Sequence, residues 1–428
     1  MIIFAVNLHE KTMKKRILFD EISVKRHSKL GRIIVFTGAR QTGKTTIAHH
    51  CFGDYSYLAI DDIVQSRELL KLTANQWKTF YPKAILDEVQ KAPALIDSIK
   101  ATHDLYQDTR YLLLGSSQFL LLEKVRESLA GRCVIMEIYP LTLPELMTES
   151  FDDMLQPSFF TNYIQGKQGI TSVYPAFTLD PLYTTKKNAY DFYLNYGGYP
   201  ALTDKDLTEK ERDEWLKMYV RTFLERDIRD LVTFRDLEPF IKLQRYMANM
   251  TGSLVNYSSI AKETGVSIPT VQRYIRYMEI SYQSLNLPAW FSNPLKKLVK
   301  APKIHFLDTG VLRAVLRKNG AITGNEYESA MIAEIYKQIK TCQLPLSCYH
   351  LRTQDGREID LLLEAEDYFI AIEIITTENV NRTDARHLFD LQSFLNKPLK
   401  HSFILSNDVQ TKSLSENITA IHAAMFLS

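Results

Sequence analysis

Residues 33–46 read Ile33-Ile34-Val35-Phe36-Thr37-Gly38-Ala39-Arg40-Gln41-Thr42-Gly43-Lys44-Thr45-Thr46: an apolar strand, a glycine loop, then Lys-Thr opening a helix. This matches the phosphate-loop pattern G-x-x-x-x-G-K-[ST] at every fixed position, with the flanking strand and helix that the pattern needs. Gly38 and Gly43 let the backbone curl so that its N–H groups face the β- and γ-phosphates of a nucleotide, and the helix start adds its dipole. The whole loop from Gly38 through Ala39, Arg40, Gln41, Thr42, Gly43, Lys44, Thr45 and Thr46 is therefore the candidate nucleotide cradle. Lys44 would supply mobile positive charge, and the Thr45 hydroxyl a ligand for Mg²⁺.

Downstream, Ala84-Ile85-Leu86-Asp87-Glu88 is an apolar strand ending in two acids. Paired with the phosphate loop, Asp87 would hold Mg²⁺ and Glu88 would polarise an attacking water. Apolar stretches at 57–60, 111–114 and 134–138 alternate with helix-compatible polar stretches. With 33–37 and 84–86 they predict an α/β fold: five strands in a mostly parallel sheet, covered on both faces, with its ligand site at the strands' carboxyl ends. The stretch 111–114 ends in Gly115-Ser116-Ser117, where a hydroxyl either senses the γ-phosphate or caps a following helix.

With 428 residues and 45% apolar content the chain predicts two to four packed domains, and a net charge of +2 rules out general attraction to polyanions. Cys51, Cys133, Cys342 and Cys348 form no C-x-x-C pair, which argues against zinc and against a disulfide framework. The apolar start 1–6 is too short for a membrane span, and its basic cluster follows rather than precedes it. These features predict a soluble cytoplasmic protein with no membrane partner; Met13, before Lys14-Lys15-Arg16, is an alternative start.

Further motifs follow in order: Ser128-Leu129-Ala130-Gly131-Arg132, Pro140-Leu141 with Glu145, and Gly197-Gly198-Tyr199-Pro200. Together with the phosphate loop, Leu86-Asp87-Glu88 and Gly115-Ser116-Ser117, they resemble the bacterial and archaeal AAA+ ATPases that carry a C-terminal DUF4143 domain. The resemblance implies ATP and Mg²⁺ as cofactors, with Ser116 or Ser117 as the sensor on the fourth strand. It also places Arg132 where such proteins keep an arginine that reaches a γ-phosphate, commonly in a neighbouring subunit, so a homo-oligomer is implied. Capping a helix or pairing with Glu137 is the plainer role for Arg132. Pro200 resembles the proline that packs near adenine in the signalling branch, or else marks a domain-boundary turn. The aromatic-rich stretch 151–187 reads as an insertion or lid loop, and 211–233, with Glu225-Arg226-Asp227, as a charged amphipathic helix.

Residues 257–275 read as two helices joined by a Gly265 turn, the second entered through Ser267 with Pro269 in its first turn. This helix-turn-helix pattern would place Thr270, Gln272, Arg273 and Arg276 on the outer face of the second helix, and strand-like 285–291 and 298–307 suit a winged form. Residues 241–300 carry eight Lys/Arg against two acids, a local excess that suits a phosphate-tracking module. The partner through this module is double-stranded DNA or a protein.

In the tail, Glu328 on a helix, Asp360 ending Arg357-Glu358-Ile359-Asp360, and Glu373 in Ile370-Ala371-Ile372-Glu373-Ile374-Ile375 resemble a restriction-endonuclease-like core. That pattern wants Lys two residues after Glu373, where this chain has Ile375, so cleavage would need a substitute such as Arg357. The tail therefore reads as a degenerate nuclease-like α/β domain. The expected organisation is an ATPase core (1–148), a lid or helical region (149–235), a winged helix-turn-helix (236–300) and the degenerate nuclease-like domain (301–428). The expected function is a Mg²⁺-dependent ATPase whose nucleotide state controls the winged helix. A slow nucleotide-gated DNA-binding regulator and an ATP-assisted nuclease are the alternatives.

Overall fold

The computed structural model describes residues 13–115, 124–125, 127–224, 237–291, 301–353 and 356–428. Strands β1 (Ile33–Thr37), β2 (Ser56–Ala59), β3 (Lys83–Asp87), β4 (Arg110–Leu114) and β5 (Val134–Glu137) form a wholly parallel sheet in the order β2-β3-β4-β1-β5. The five expected strands stand within one or two residues of their expected bounds. Each β1 residue is buried because alternate side chains enter two different cores. Ile33 and Val35 pack with Leu86, Ile96 and Ile99, the last two from helix α1 (Ala94–Leu105). Ile34 and Phe36 face Leu18, Ile22 and Ile47 on the other side. Since β1 lies inside the sheet, the loop that follows it opens onto the carboxyl ends of its neighbours.

The middle of the chain is helical: α2 (Tyr183–Tyr196), α3 (Glu209–Tyr219), α4 (Glu238–Asn249), α5 (Tyr257–Thr264), α6 (Ile268–Ile280) and α7 (Thr309–Leu316). Asn256 caps α5 by accepting the Ser259 N–H at 3.1 Å, and Gly265, at φ 74°, ends it in a left-handed conformation that favours glycine. Pro269 lies in the first turn of α6, where its missing N–H costs no helix bond. Strands β6 (Ser253–Leu254), β7 (Ser284–Leu287) and β8 (Lys303–Phe306) form an antiparallel sheet in the order β6-β8-β7. This corrects the expected boundary at residue 300. β8 pairs with both partners, and Ile304, Phe306, Val311 and Leu312 fill the same core as α4 and α6, so β8 and α7 belong with the middle unit.

The C-terminal unit has a long helix α8 (Gly324–Thr341) against a six-stranded mixed sheet of β9 (Ser347–Arg352), β10 (Glu358–Glu364), β11 (Phe369–Ile374), β12 (Leu399–Ser406), β13 (Lys412–Ser415) and β14 (Ile418–His422). The order is β13-β14-β12-β11-β10-β9, with β9, β10 and β11 antiparallel and β11, β12 and β14 parallel. The stretch 151–187 is not a free lid. Phe159, Phe160 and Tyr163 are buried against Phe403 and Phe426, Phe177 stacks on His422, and the Phe177 N–H donates to the Val409 carbonyl at 2.7 Å. Its aromatics face another unit, which is why they follow no local period. The same core holds Ala189, Tyr190 and Tyr193 of α2 together with Ala39, after β1, and Tyr139, after β5.

Candidate functional site

The loop after β1 has the backbone that its glycines allow. Gly38 sits at φ 138° and Gly43 at φ 89°, and a Cβ on Gly38 would stand 2.1 Å from the Ile138 carbonyl oxygen, so Gly38 is required twice over. Helix residues Lys44–Cys51 follow, and their first N–H groups have no acceptor within the helix. The Lys44 ammonium lies over the loop, donating to the carbonyls of Gly38 (2.9 Å) and Ala39 (2.6 Å). The Thr45 hydroxyl donates to Asp87 Oδ2 at 3.0 Å, so the two candidate Mg²⁺ ligands already meet at the ends of β1 and β3. Tyr57 of β2, which sequence reading missed, donates its hydroxyl to the same oxygen at 2.6 Å. Burial, then the Asp87 carboxylate, pushes the Tyr57 hydroxyl above its usual range. Glu88 adopts φ 58°, a left-handed conformation uncommon outside glycine, and lies 3.7 Å from Arg40 Nη1, with Gln90 donating to its other oxygen. These residues fit a Mg²⁺-nucleotide: a donor cradle, a cation, a hydroxyl–carboxylate pair and a second carboxylate.

Three further residues reach this site from outside the sheet, two at the loop and one at the strand ends beside it. Arg16, only 5% exposed, donates to Glu145 (3.1 Å), to the Thr42 carbonyl in the loop (3.1 Å) and to the Tyr139 carbonyl (2.7 Å). Tyr219 of α3 donates to the Arg40 carbonyl at 3.2 Å, and its hydroxyl also lies 2.9 Å from that of Tyr199. Tyr282, at φ 59° in the turn between α6 and β7, bonds Thr37 at the end of β1 (3.1 Å) and Glu137 at the end of β5 (3.0 Å). The middle unit thus touches both edges of the loop through tyrosine hydroxyls.

Pro200 opens a short turn after Gly197-Gly198-Tyr199. That segment is pinned from both sides: the Leu141 N–H donates to the Gly198 carbonyl (2.6 Å), and the Gly198 N–H to Asp308 Oδ2 (2.8 Å). Cβ atoms on Gly197 and Gly198 would come within 2.1 Å of Asp308 and 2.2 Å of the Leu141 carbonyl. Asp308 also caps α7 through the Val311 N–H (3.1 Å), and Thr309 bonds the Tyr193 carbonyl. The Asp308-Thr309-Gly310 turn is a clamp on the segment that carries Tyr199.

Arg132 stands before β5, at the amino ends of the strands and away from its own phosphate loop. Its Nε donates to Asp104 at 2.8 Å, not to Glu137. Ser116 and Ser117 lie outside the described residues, as do Glu225-Arg226-Asp227 and Lys296, Lys297 and Lys300. On α6, Gln272, Arg273 and Arg276 are exposed, while Val271, Tyr274, Ile275 and Met278 face the core. Thr270 is half-buried and bonded to Ser267 at 2.9 Å.

In the tail, Glu328 (α8), Asp360 (β10) and Glu373 (β11) do converge. Arg357 does not join them: it donates to the carbonyls of His387 (2.7 Å) and Phe389 (2.6 Å) and stacks on Phe394, correcting the expected substitute. Lys303 does join them, bonding Glu328 at 3.0 Å. Among the described residues, no group of three or more His, Cys, Asp or Glu is arranged to hold a metal ion. No described helix is long and apolar enough to cross a membrane.

Three family models match the chain: an AAA domain over residues 30–147, a domain of unknown function, DUF8612, over 187–321, and DUF4143 over 323–426. The chain thus joins a segment that matches an AAA domain to a C-terminal segment that matches DUF4143. It is 25% identical over 398 residues to an uncharacterized protein of Mycobacterium tuberculosis, covering 88% of this chain and 79% of the relative. An uncharacterized protein of Haemophilus influenzae is 21% identical over 380 residues, covering 82% and 85%. Among solved structures, a Walker-type ATPase of Pyrococcus abyssi superposes with a TM-score of 0.42 at 14% identity, over 72% of this chain and 98% of that one.

Proposed function

We propose that this chain is a Mg²⁺-dependent ATPase whose nucleotide state sets the posture of the middle unit, read as a winged helix that contacts duplex DNA or a partner protein. The observation that carries the reading is the meeting of Thr45 and Asp87 at 3.0 Å beside the Gly38–Lys44 cradle, with Glu88 next in the chain. In this reading the loop N–H groups and Lys44 bind the phosphates, and Thr45 and Asp87 hold the ion. Bound Mg²⁺ would supply charge neutralisation at the phosphates. Glu88 accepts the proton of the water that attacks the γ-phosphorus. Lys44 must leave the Gly38 and Ala39 carbonyls to meet a phosphate, and Glu88 must exchange its Arg40 contact for water, so binding reorganises the loop that Tyr219 touches and that starts beside Thr37, the partner of Tyr282. That difference between the two states is what allows a ligand to bias two packings.

Arg132 remains a candidate only for a neighbouring subunit's phosphate, since in its own chain it faces Asp104 at the far end of the sheet. Exposed Gln272, Arg273 and Arg276 support a phosphate-tracking face on α6. Two measurements test the reading. Lys44→Ala should abolish binding of a fluorescent ATP analogue. Arg273→Glu with Arg276→Glu should weaken duplex binding and lower its salt slope by roughly one for each phosphate no longer neutralised, leaving nucleotide binding intact. Unchanged DNA binding across a salt titration would make the module a protein-contact unit.

A further inference from the structure

Lys303 lies on β8 of the middle unit and is 3% exposed, yet its ammonium sits among carboxylates of the C-terminal unit. Glu358 Oε1 is at 2.7 Å, Glu328 Oε1 at 3.0 Å and Asp360 Oδ1 at 3.5 Å. Glu373, on the strand next to Asp360, completes the cluster; it is 9% exposed and its Oε1 has no hydrogen-bond partner. Asp360 Oδ2 also accepts the Ile374 N–H at 2.9 Å, Glu373 and Asp360 share a side-chain hydrogen bond, and Arg352 Nη1 approaches Glu358 Oε2 at 3.7 Å. Burial, then the Asp360 charge, pushes Glu373 well above the usual carboxylate range and Glu328 up to about 8. Burial opposes the charge on Lys303 too, but Glu328, Asp360 and Glu358 together push its ammonium above the usual range. His305, two residues along β8, is fully buried with both ring nitrogens unbonded, and burial followed by the Lys303 charge keeps it neutral.

We propose that Lys303 is the resident cation of this acid cluster: a peg from the middle unit that fills the place of a divalent ion and fastens that unit to the C-terminal sheet. An ammonium offers three N–H donors; Glu358 and Glu328 stand at hydrogen-bond distance to accept two of them, and Asp360, at 3.5 Å, pairs by charge. A divalent ion needs its oxygens drawn in to about 2.0–2.6 Å, so peg and ion cannot share the space. The peg stands or falls independently of the nucleotide site.

The test is a Mn²⁺ titration of the full chain without nucleotide, followed by electron paramagnetic resonance, comparing wild type with Lys303→Met. The variant should gain one Mn²⁺ site at least about tenfold tighter than any in wild type, lost again when Glu373→Gln is added. Its melting temperature should fall by about 5 °C or more, as expected when one partner of a buried ion pair is removed, and Mn²⁺ should restore it. If Lys303→Met does not fold, adding Glu328→Gln and Glu358→Gln to it should recover a folded chain that melts near wild type. Failure of that recovery would overturn the proposal. So would a wild-type Mn²⁺ site removed by Glu373→Gln and no tighter in Lys303→Met, or Mn²⁺-dependent nicking of plasmid by wild type that Asp360→Ala abolishes.

Discussion

Arg16→Met is the most exacting test of how the amino-terminal segment supports the phosphate loop. Arg16 is 5% exposed and Glu145 0%, and their contact at 3.1 Å is shielded from solvent. Without the guanidinium, Glu145 keeps two backbone donors, the N–H groups of Ile17 and Thr142, both at 2.9 Å, but is left without its counter-charge. Breaking a buried pair from one side costs about 3–5 kcal/mol. The remaining donors argue for the lower half of that range, about 3–4 kcal/mol, while the carbonyls of Thr42 and Tyr139, each losing a donor, add about 1 kcal/mol apiece. At about 2–4 °C per kcal/mol, a loss of about 5–6 kcal/mol should lower the melting temperature by roughly 10–24 °C. Because the Thr42 carbonyl belongs to the loop, ATP-analogue affinity should fall several-fold as well. Circular-dichroism melts of Arg16→Met, Glu145→Gln and the double variant form a cycle whose coupling should exceed about 1.5 kcal/mol. Additive single effects, or an Arg16→Met that melts within a degree of wild type, would refute the reasoning.

Two other outcomes follow from buried polar groups. Tyr282→Phe removes the bonds to Thr37 and Glu137 without changing the ring, so ATP binding should change by no more than a few fold while ATP-dependent protease protection of the middle unit is abolished; protection that persists would assign the coupling elsewhere. His401 and His422 are held down to about 4 by burial. His422 Nδ1 also accepts the Ala424 N–H, so its neutral form is built into the fold. Their folded pKa values lie below the unfolded value, so the stability they contribute is present above about 6.5 and is lost as pH falls toward 4. In nuclear magnetic resonance of histidine-labelled protein, neither imidazole should titrate near 6.5.

The parallel sheet was legible because a strand buried on both faces writes an unbroken apolar run, and its loop because glycine, lysine and threonine have few other uses at that spacing. Asp87 was legible for the same reason: an acid ending an apolar run is locally unusual. Tyr57, Arg16, Tyr219, Tyr282 and Lys303 were not, since each meets its partner far along the chain and nothing in its own neighbourhood sets it apart. Arg16 read as one of a basic triplet, yet it alone of the three is nearly fully buried. The boundary at 300 failed because β8, Lys303-Ile304-His305-Phe306, alternates polar and apolar residues as a half-buried strand of either unit would, and only its pairing with β6 and β7 shows which core it fills. The aromatic stretch 151–187 misled because irregular backbone resembles a loop even when its side chains are core.

The central claim is that Glu88 activates water beside a nucleotide held by the Lys44 loop. The direct measurement is phosphate release under single turnover by wild type and Glu88→Gln, with binding of a fluorescent ATP analogue measured on the same samples. The account predicts equal binding and a rate lower by about a hundredfold or more in the variant. Equal rates, or loss of binding together with the rate, would contradict it.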